Sequence, residues 1–142
     1  MAVDSLKLEN QLCFPLYACS KEVVRKYRPF LDEIGLTYTQ YITMLVLWEE
    51  ESMNVKTLGQ KLFLDSGTLT PLLKKLEGEG LVSRVRDKND ERNLVVKLTK
   101  KGKNLQDSAK DIPEKIGSCI NLSPEDAMTL YQLLYKVLNT LD

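Results

Sequence analysis

Three cysteines are the residues best suited to chemistry in this 142-residue sequence, which contains no histidine. They stand at Cys13, Cys19 and Cys119, and none belongs to a Cys-x-x-Cys pair. The lack of histidine excludes Ser–His and Cys–His nucleophile pairs, histidine general bases and almost all catalytic zinc sites. We therefore expect no metal and no cofactor. A reactive cysteine would depend instead on thiolate character, access, and a fate for its sulfenic acid.

The compartment is predicted from what the sequence lacks. Residues 1–11 contain no apolar signal core, and the longest apolar stretch, residues 42–48, is too short to span a bilayer. An odd number of widely spaced cysteines is not typical of a secreted disulfide framework. We expect a cytoplasmic protein with reduced thiols and no membrane partner.

The element that must position Cys13 is a first helix. Apolar residues recur at helical spacing over residues 8–34, and Gly35 ends the pattern. Pro15 leaves two alternatives open: either Cys13 lies at the amino end of the helix, where backbone N–H groups favour a thiolate, or the helix runs through and is kinked. Cys19 lies about 9 Å further along such a helix, so a disulfide with Cys13 is not expected and a structural role is predicted.

Two short helices follow in tandem after a second helix that begins at Thr37. The first covers residues 55–63, with Phe63 directed inward. The next has an amphipathic apolar face at spacings i, i+3, i+4 and i+7. That face consists of Leu69, Leu72, Leu73 and Leu76. Pro71 leaves open whether this helix begins at Thr70 or has a bent first turn.

After Gly80 the apolar period changes from 3.6 to 2. Residues 81–87 and 93–98 are predicted strands, joined by a charged turn into a β-hairpin. Thr99 caps a fifth helix that runs to Ile116, and Ser123 begins the last helix.

The predicted fold is therefore mainly α with a small β-hairpin wing (α+β), in the order of a winged helix-turn-helix. Residues 37–98 contain the winged helix-turn-helix, and residues 1–36 and 99–142 contain the other predicted helices. In such a fold the second tandem helix enters the major groove and the hairpin tip reaches the backbone or minor groove.

The charge distribution supports this interpretation. The chain is neutral overall, with 20 basic and 20 acidic residues. Residues 74–103, however, hold ten Lys/Arg and five Asp/Glu, a net charge of +5, whereas the flanking segments are acidic. A basic hairpin alone could be an ordinary solvated surface, but together with the helix order it favours DNA binding.

The predicted DNA contacts lie on the outward face of the second tandem helix and on the hairpin. Short hydroxyl side chains at a helix start can approach bases and phosphates, and lysines further along neutralise phosphates. The helix positions are Ser66, Thr68, Thr70, Lys74 and Lys75. The hairpin positions are Arg84, Arg86, Lys88 and, as the minor-groove probe, Arg92.

Two runs of sequence carry a family resemblance over nearly the whole chain. The run LDSGTLTPLLKKLE at residues 64–77, followed by Asp-Glu-Arg at 90–92 and Leu-Thr at 98–99, resembles the MarR family of dimeric winged-helix regulators. The run LENQLCF at residues 8–14, with Tyr27 and LTYTQY at residues 36–41, resembles its OhrR branch. Members of that branch are organic-hydroperoxide-sensing repressors.

The resemblance implies a role for each matching residue. Cys13 matches the peroxide-reactive cysteine, and Tyr27 and Tyr38 match tyrosines that hydrogen-bond it across the dimer interface. Arg92 matches the wing arginine, and Asp90 would hold the wing in shape. The recognition-helix region corresponds to Ser66, Thr68, Thr70, Pro71, Lys74 and Lys75. For Cys119 two alternatives stay open: it resolves the sulfenic acid of Cys13 as a disulfide, or it is a half-exposed loop cysteine.

The resemblance implies a homodimeric repressor that binds a pseudo-palindromic operator in double-stranded DNA and releases it when an organic hydroperoxide oxidises Cys13. It implies that residues 37–98 form the DNA-binding region and that residues 1–36 and 99–142 form a helical dimerisation region, in one intertwined domain. One alternative keeps DNA binding but replaces the inducer with another oxidant or a small aromatic ligand. A weaker alternative is a thiol peroxidase that uses Cys13 and Cys119, although this would leave the DNA-binding module unexplained.

Overall fold

The computed structural model describes residues 3–141, so residues 1, 2 and 142 of the predicted dimerisation region lie outside the described part. Two short 3-10 turns, Asp4–Leu6 and Leu8–Asn10, precede the helices and strands. The elements are α1 Cys13–Asp32, α2 Tyr38–Glu50, β1 Ser52–Asn54, α3 Val55–Leu62, α4 Ser66–Gly78, β2 Val82–Arg86, β3 Leu94–Leu98, α5 Lys100–Ala109, α6 Ile112–Gly117 and α7 Pro124–Thr140. The chain divides into two compact units, with the boundary between Ile112 and Pro113.

Helix α1 begins at Cys13, later than the predicted start at residue 8. The preceding residues form 3-10 turns through backbone hydrogen bonds, and the side-chain amide of Gln11 also donates to the carbonyls of Ser5 and Lys7. Pro15 is the third residue of α1, where its missing N–H has no intrahelical partner to lose. The structure therefore agrees with the first alternative, in which Cys13 lies at the amino end of the helix.

Helix α2 begins after Thr37, as predicted, and it forms the centre of the core. Thr37 and Gln40 form a reciprocal capping box, in which each side chain accepts a hydrogen bond from the other residue's backbone N–H. Met44 and Leu47 on this helix are fully buried.

The tandem helices α3 and α4 are connected by a tight turn at Phe63. Asn54 caps α3 by accepting hydrogen bonds from two backbone N–H groups of its first turn. The prediction that Phe63 points inward is wrong, because its left-handed backbone ends α3 and leaves the ring exposed. Of the two alternatives left open for α4, the structure excludes a start at Thr70: Asp65 caps the helix, which begins at Ser66 and continues through Pro71.

The sheet contains one strand, β1, in addition to the predicted hairpin. Strands β2 and β3 form the expected antiparallel hairpin, and β1 pairs with the other edge of β3, which gives the order β1-β3-β2. Met53 of β1 lies opposite Val96, which is fully buried. The wing is thus the outer part of a three-stranded sheet, and the mainly helical winged-helix architecture agrees with the predicted fold class.

The predicted fifth helix is divided into α5 and α6. Thr99 caps α5 as predicted, by accepting a hydrogen bond from the N–H of Gly102. The prediction of a continuous helix to Ile116 is wrong. Pro113 has no N–H to donate to the carbonyl of Ala109, where α5 ends. The last helix, α7, begins as predicted, with Ser123 as its N-cap.

Candidate functional site

Helix α4 presents a polar face opposite an apolar one. Its buried side consists of the four predicted leucines, Leu69, Leu72, Leu73 and Leu76. The predicted contact residues of this helix are all exposed: Ser66, Thr68, Thr70, Pro71, Lys74 and Lys75. Within residues 3–141, neither Lys74 nor Lys75 forms an ion pair. Three hydroxyl side chains in the first part of the helix are followed by two unpaired lysines. Together they form a surface that is complementary to polar base edges and phosphates.

The wing tip is shaped by Asp90. One of its carboxylate oxygens accepts hydrogen bonds from the backbone N–H of Arg92 at 3.1 Å and from its Nε at 3.2 Å. The other oxygen accepts from the amide of Asn93 at 3.4 Å. The side chain of Arg92 is nevertheless 91 % exposed. Asp90 therefore orients a guanidinium whose remaining N–H groups stay available to an anionic partner.

Two other predicted wing residues, Arg86 and Lys88, are exposed beside this tip. The guanidinium of Arg86 donates to the backbone carbonyl of Glu91 across the hairpin at 3.4 Å. Both cations therefore add to the positive potential of the wing without a carboxylate partner within the described residues.

Arg84 does not belong to this exposed group, contrary to the prediction that it faces DNA. Its guanidinium donates to Glu77 at 3.1 Å, and its backbone N–H donates to the other oxygen of the same carboxylate at 3.0 Å. Only 17 % of its side chain is exposed, and its Nε is buried without a hydrogen-bond partner. These bonds hold the pKa of Glu77 below its usual range, the side-chain bond most of all. Arg84 therefore ties β2 to the end of α4 and is unavailable to DNA.

Cys13 is exposed and lies at the first residue of α1. Tyr27, its predicted partner, lies fourteen residues further along the same helix, about 21 Å away at the rise of an α-helix. A hydrogen bond between these two residues within one chain is therefore impossible. The predicted pairing of Cys13 with tyrosine can occur only between two copies of the chain.

The predicted tyrosines do meet each other. The rings of Tyr27 and Tyr38 lie edge to face with their centroids 4.9 Å apart. The ring of Tyr41 lies 5.7 Å from Tyr27 and 6.3 Å from Tyr38, which completes a cluster between α1 and α2. Tyr41 was not among the predicted site residues, although its spacing of three residues from Tyr38 on one helix places both on the same face.

Burial controls the ionisation of this tyrosine cluster. Desolvation raises the pKa of Tyr27 to about 12, and the hydroxyls of Tyr38 and Tyr41 add to the shift. Burial also raises the pKa values of Tyr38 and Tyr41. At neutral pH the three hydroxyls are therefore protonated and can donate hydrogen bonds.

The other two cysteines are exposed and free. Cys19 lies on α1 beyond Cys13, and Cys119 follows α6 in the second unit. The thiol of Cys119 donates to the carbonyl of Lys115 at 3.4 Å. Among residues 3–141, no group of three Cys, Asp or Glu side chains is arranged to hold a metal ion. The same residues include no helix that is long and apolar enough to cross a membrane.

Comparison with known proteins places this arrangement in context. Residues 25–109 match the family described as transcriptional regulator SarA/Rot. The organic hydroperoxide resistance transcriptional regulator of Bacillus subtilis strain 168 is 49 % identical over 138 residues, which covers 97 % of this chain and 94 % of the relative. The regulator SarZ of Staphylococcus aureus strain USA300 is 46 % identical over 127 residues, which covers 89 % and 86 % of the two chains.

Solved structures give the same result. Reduced AbfR bound to DNA is 35 % identical and superposes with a TM-score of 0.81 over 98 % of this chain and 96 % of that chain. AbfR from Staphylococcus epidermidis, in another structure, is 35 % identical with a TM-score of 0.75, over 96 % and 94 % of the two chains.

Proposed function

The chain belongs to the SarA/Rot family of MarR-type winged-helix transcriptional regulators, and from this premise we propose that it represses transcription until an organic hydroperoxide oxidises Cys13. The family match confirms the resemblance predicted from the sequence, and members of the family are regulators rather than enzymes, which argues against the thiol peroxidase alternative. A regulator of transcription acts where the chromosome lies, so we place the protein in the cytoplasm.

The proposed DNA interface consists of α4 and the wing. The exposed hydroxyls and lysines of α4 enter a major groove, and Arg92 reaches the adjacent minor groove or backbone. Support comes from the exposed polar face of α4, from the orientation of Arg92 by Asp90, and from a DNA complex of the similar protein AbfR. Arg84 is omitted from this interface because Glu77 holds it.

The exposed position of Cys13 at the start of α1 is the observation that carries the sensing proposal. Its thiolate attacks one oxygen of the hydroperoxide, the O–O bond breaks, and the alkoxide leaves and takes up a proton to become the alcohol. The sulfur is oxidised to the sulfenic acid, and the hydroperoxide is reduced. The polar product alters the hydrogen bonds that a protonated tyrosine would donate to the sulfur.

The proposed regulator acts as a homodimer, and the geometry of α1 supports this part of the proposal. Because Cys13 and Tyr27 lie about 21 Å apart on one helix, their predicted hydrogen bond requires a second chain. Exposed apolar side chains accompany Cys13 along this helix: Leu12, Phe14, Leu16 and Tyr17. Burying such a surface against a second copy would stabilise the dimer, and two-fold symmetry would present two α4 helices to a pseudo-palindromic operator.

DNA release provides the main experiment. Wild-type protein, Cys13→Ser and the matched control Cys19→Ser are titrated onto an operator duplex before and after treatment with cumene hydroperoxide. We expect all three reduced proteins to bind, and only wild type and Cys19→Ser to release DNA after oxidation. Release by Cys13→Ser equal to that of wild type would contradict the proposal.

The inducer is tested separately from the sensor. Cumene hydroperoxide, hydrogen peroxide, hypochlorite and salicylate are compared for DNA release by the wild-type protein. The proposal requires the organic hydroperoxide to act at the lowest concentration. Stronger release by hypochlorite would favour another oxidant, and release by salicylate that persists in Cys13→Ser would favour a small aromatic ligand.

The fate of the sulfenic acid is tested on non-reducing gels. Condensation with the thiol of Cys119 forms a disulfide and releases water, and it would give a covalent dimer if the two sulfurs belong to different chains. Loss of that dimer in Cys119→Ser would assign Cys119 as the resolving residue. If the wild-type protein stays monomeric on the gel but gains the mass of an added small thiol, the small thiol is the resolving partner.

A further inference from the structure

Phe63 combines an exposed aromatic ring with a left-handed backbone. Its φ of 57° and ψ of 38° lie in a region that glycine adopts freely and bulky residues rarely adopt. The turn is closed by backbone bonds, from the N–H of Phe63 to the carbonyl of Gln60 and from Leu64 to Gly59. Glycine would adopt this backbone conformation with less strain, and Phe63 is 59 % exposed. Intrachain structure therefore does not explain an aromatic residue here.

The ring borders a groove of about 670 Å³ between the tandem helices and the hairpin residues Arg92, Asn93 and Leu94. Lys56 and Gln60 line it from α3, Ser66 from the start of α4, and Arg92 from the wing. Lys56 and Arg92 are the only charged residues among the described side chains that line it, and both are basic. The groove thus combines an apolar ring with cations on two sides, and it opens beside the predicted DNA contacts.

We propose that this groove holds one strand of DNA and that Phe63 packs against a deoxyribose between phosphates neutralised by Lys56 and Arg92. A nucleic-acid backbone alternates apolar sugars with anionic phosphates, so it matches a ring flanked by cations. The inference rests on the proposed function and adds to it a direct apolar contact and a third helical cation. Because every nucleotide carries the sugar, the contact raises affinity without reading sequence.

The test separates the ring from the backbone strain. Phe63→Ala removes the ring and keeps a Cβ in the left-handed region, Phe63→Gly removes both, and Phe63→Tyr keeps the ring. Affinity is measured by fluorescence anisotropy with a duplex that the wild-type protein has selected from a randomised pool, at several salt concentrations. Thermal unfolding of each protein is recorded in parallel.

We expect Phe63→Ala and Phe63→Gly to bind about five- to tenfold more weakly, the scale of exposing half an aromatic side chain, while Phe63→Tyr binds like wild type. The melting temperature of Phe63→Gly should lie about 2–4 °C above that of Phe63→Ala, because glycine relieves the strain. The affinity losses should be equal despite this difference in stability. They should also be equal on the selected duplex and on an unrelated one.

Salt dependence provides the control. Lys56→Ala should flatten the slope of log affinity against log salt by about one, whereas the Phe63 variants should keep the wild-type slope because they neutralise the same phosphates. Wild-type affinity in Phe63→Ala would overturn the inference. So would a slope that falls together with affinity, because Phe63 would then act by placing α4. If wild-type protein showed no salt-dependent binding, the proposed function would fail as well.

Discussion

The indole N–H of Trp48 on α2 donates a hydrogen bond to the backbone carbonyl of Gly102 on α5 at 2.9 Å. The N–H of Gly102 donates in turn to the hydroxyl of Thr99, which also donates to the carbonyls of Gly80 and Leu81. These hydrogen bonds join the start of α5 to α2 on one side and to the segment between α4 and β2 on the other. The position of the wing relative to α4 depends on this junction.

Replacing Gly102 with alanine should disrupt the junction. A Cβ at this position would collide with the backbone carbonyl oxygen of Leu81 and lie 2.9 Å from a methyl carbon of Leu98. Because a backbone atom cannot rotate away, we expect the free energy of unfolding in urea to fall by about 2–3 kcal/mol. Gly78→Ala is the matched control, since nothing lies within 4 Å and alanine favours the helix. Equal stability of Gly102→Ala and wild type would contradict this account.

Helix boundaries were predicted well where one side chain signals them locally. Thr37, Thr99 and Ser123 each accept a hydrogen bond from a backbone N–H three residues later, so the sequence immediately downstream contains the whole cap. The buried leucine face of α4 was predicted for a similar reason, because helical spacing alone determines which side chains share a face.

The features that were missed or wrong depend on residues far apart in the chain. Strand β1 is three residues long and exists because β3, more than forty residues later, pairs with it. Arg84 was predicted to be an exposed DNA contact, because the sequence pattern does not show that Glu77 lies beside it in the folded chain. The left-handed turn at Phe63 contradicts its residue type, and such exceptions concentrate at functional sites.

Glu77 should make stability depend on acid pH. Its folded pKa is lowered by the hydrogen bonds from Arg84, so its contribution is present above the unfolded value of 4.5 and is lost as the pH falls through the folded pKa. Glu77→Gln should therefore melt below wild type at pH 7, and the difference should shrink as the pH falls through the folded pKa of Glu77. Glu79→Gln, whose carboxylate forms no ion pair within residues 3–141, should show no such pH-dependent difference. A difference that is independent of pH would exclude the ionised carboxylate as the cause.

The tyrosine cluster should make the free energy of unfolding fall as the pH rises in the alkaline range, whereas the contribution of Glu77 is lost as the pH falls. The folded pKa of Tyr27 is about 12, above the unfolded value of 10.0, because burial disfavours the phenolate. Its contribution is therefore fully present below pH 10 and is lost as the pH rises toward 12. Tyr27→Phe should lose less stability than wild type between these values. The measurement is urea unfolding at a series of fixed pH values. If the free energy of unfolding fell equally with pH in wild type and Tyr27→Phe, burial of the Tyr27 hydroxyl would not be the cause.

Asp90 provides the sharpest test of how the wing is built, because electrostatics and geometry predict opposite results. Asp90→Asn removes a negative charge from a surface proposed to face DNA, so charge alone would strengthen binding. The carboxylate, however, accepts both the backbone N–H and the Nε of Arg92, and a neutral amide would orient that guanidinium less firmly. We expect Asp90→Asn to bind an operator duplex about three- to tenfold more weakly, on the scale of a lost charge-assisted hydrogen bond.

The matched control for this prediction is Glu91→Gln. Glu91 is the next residue of the wing and is exposed, and its carboxylate forms no ion pair within the described part of the chain. Its substitution should leave binding unchanged or strengthen it, because only charge is altered. In the double variant with Arg92→Ala, Asp90→Asn should cost nothing further, since the side chain it orients is gone. Tighter binding by Asp90→Asn would mean that charge, rather than the orientation of Arg92, governs the wing.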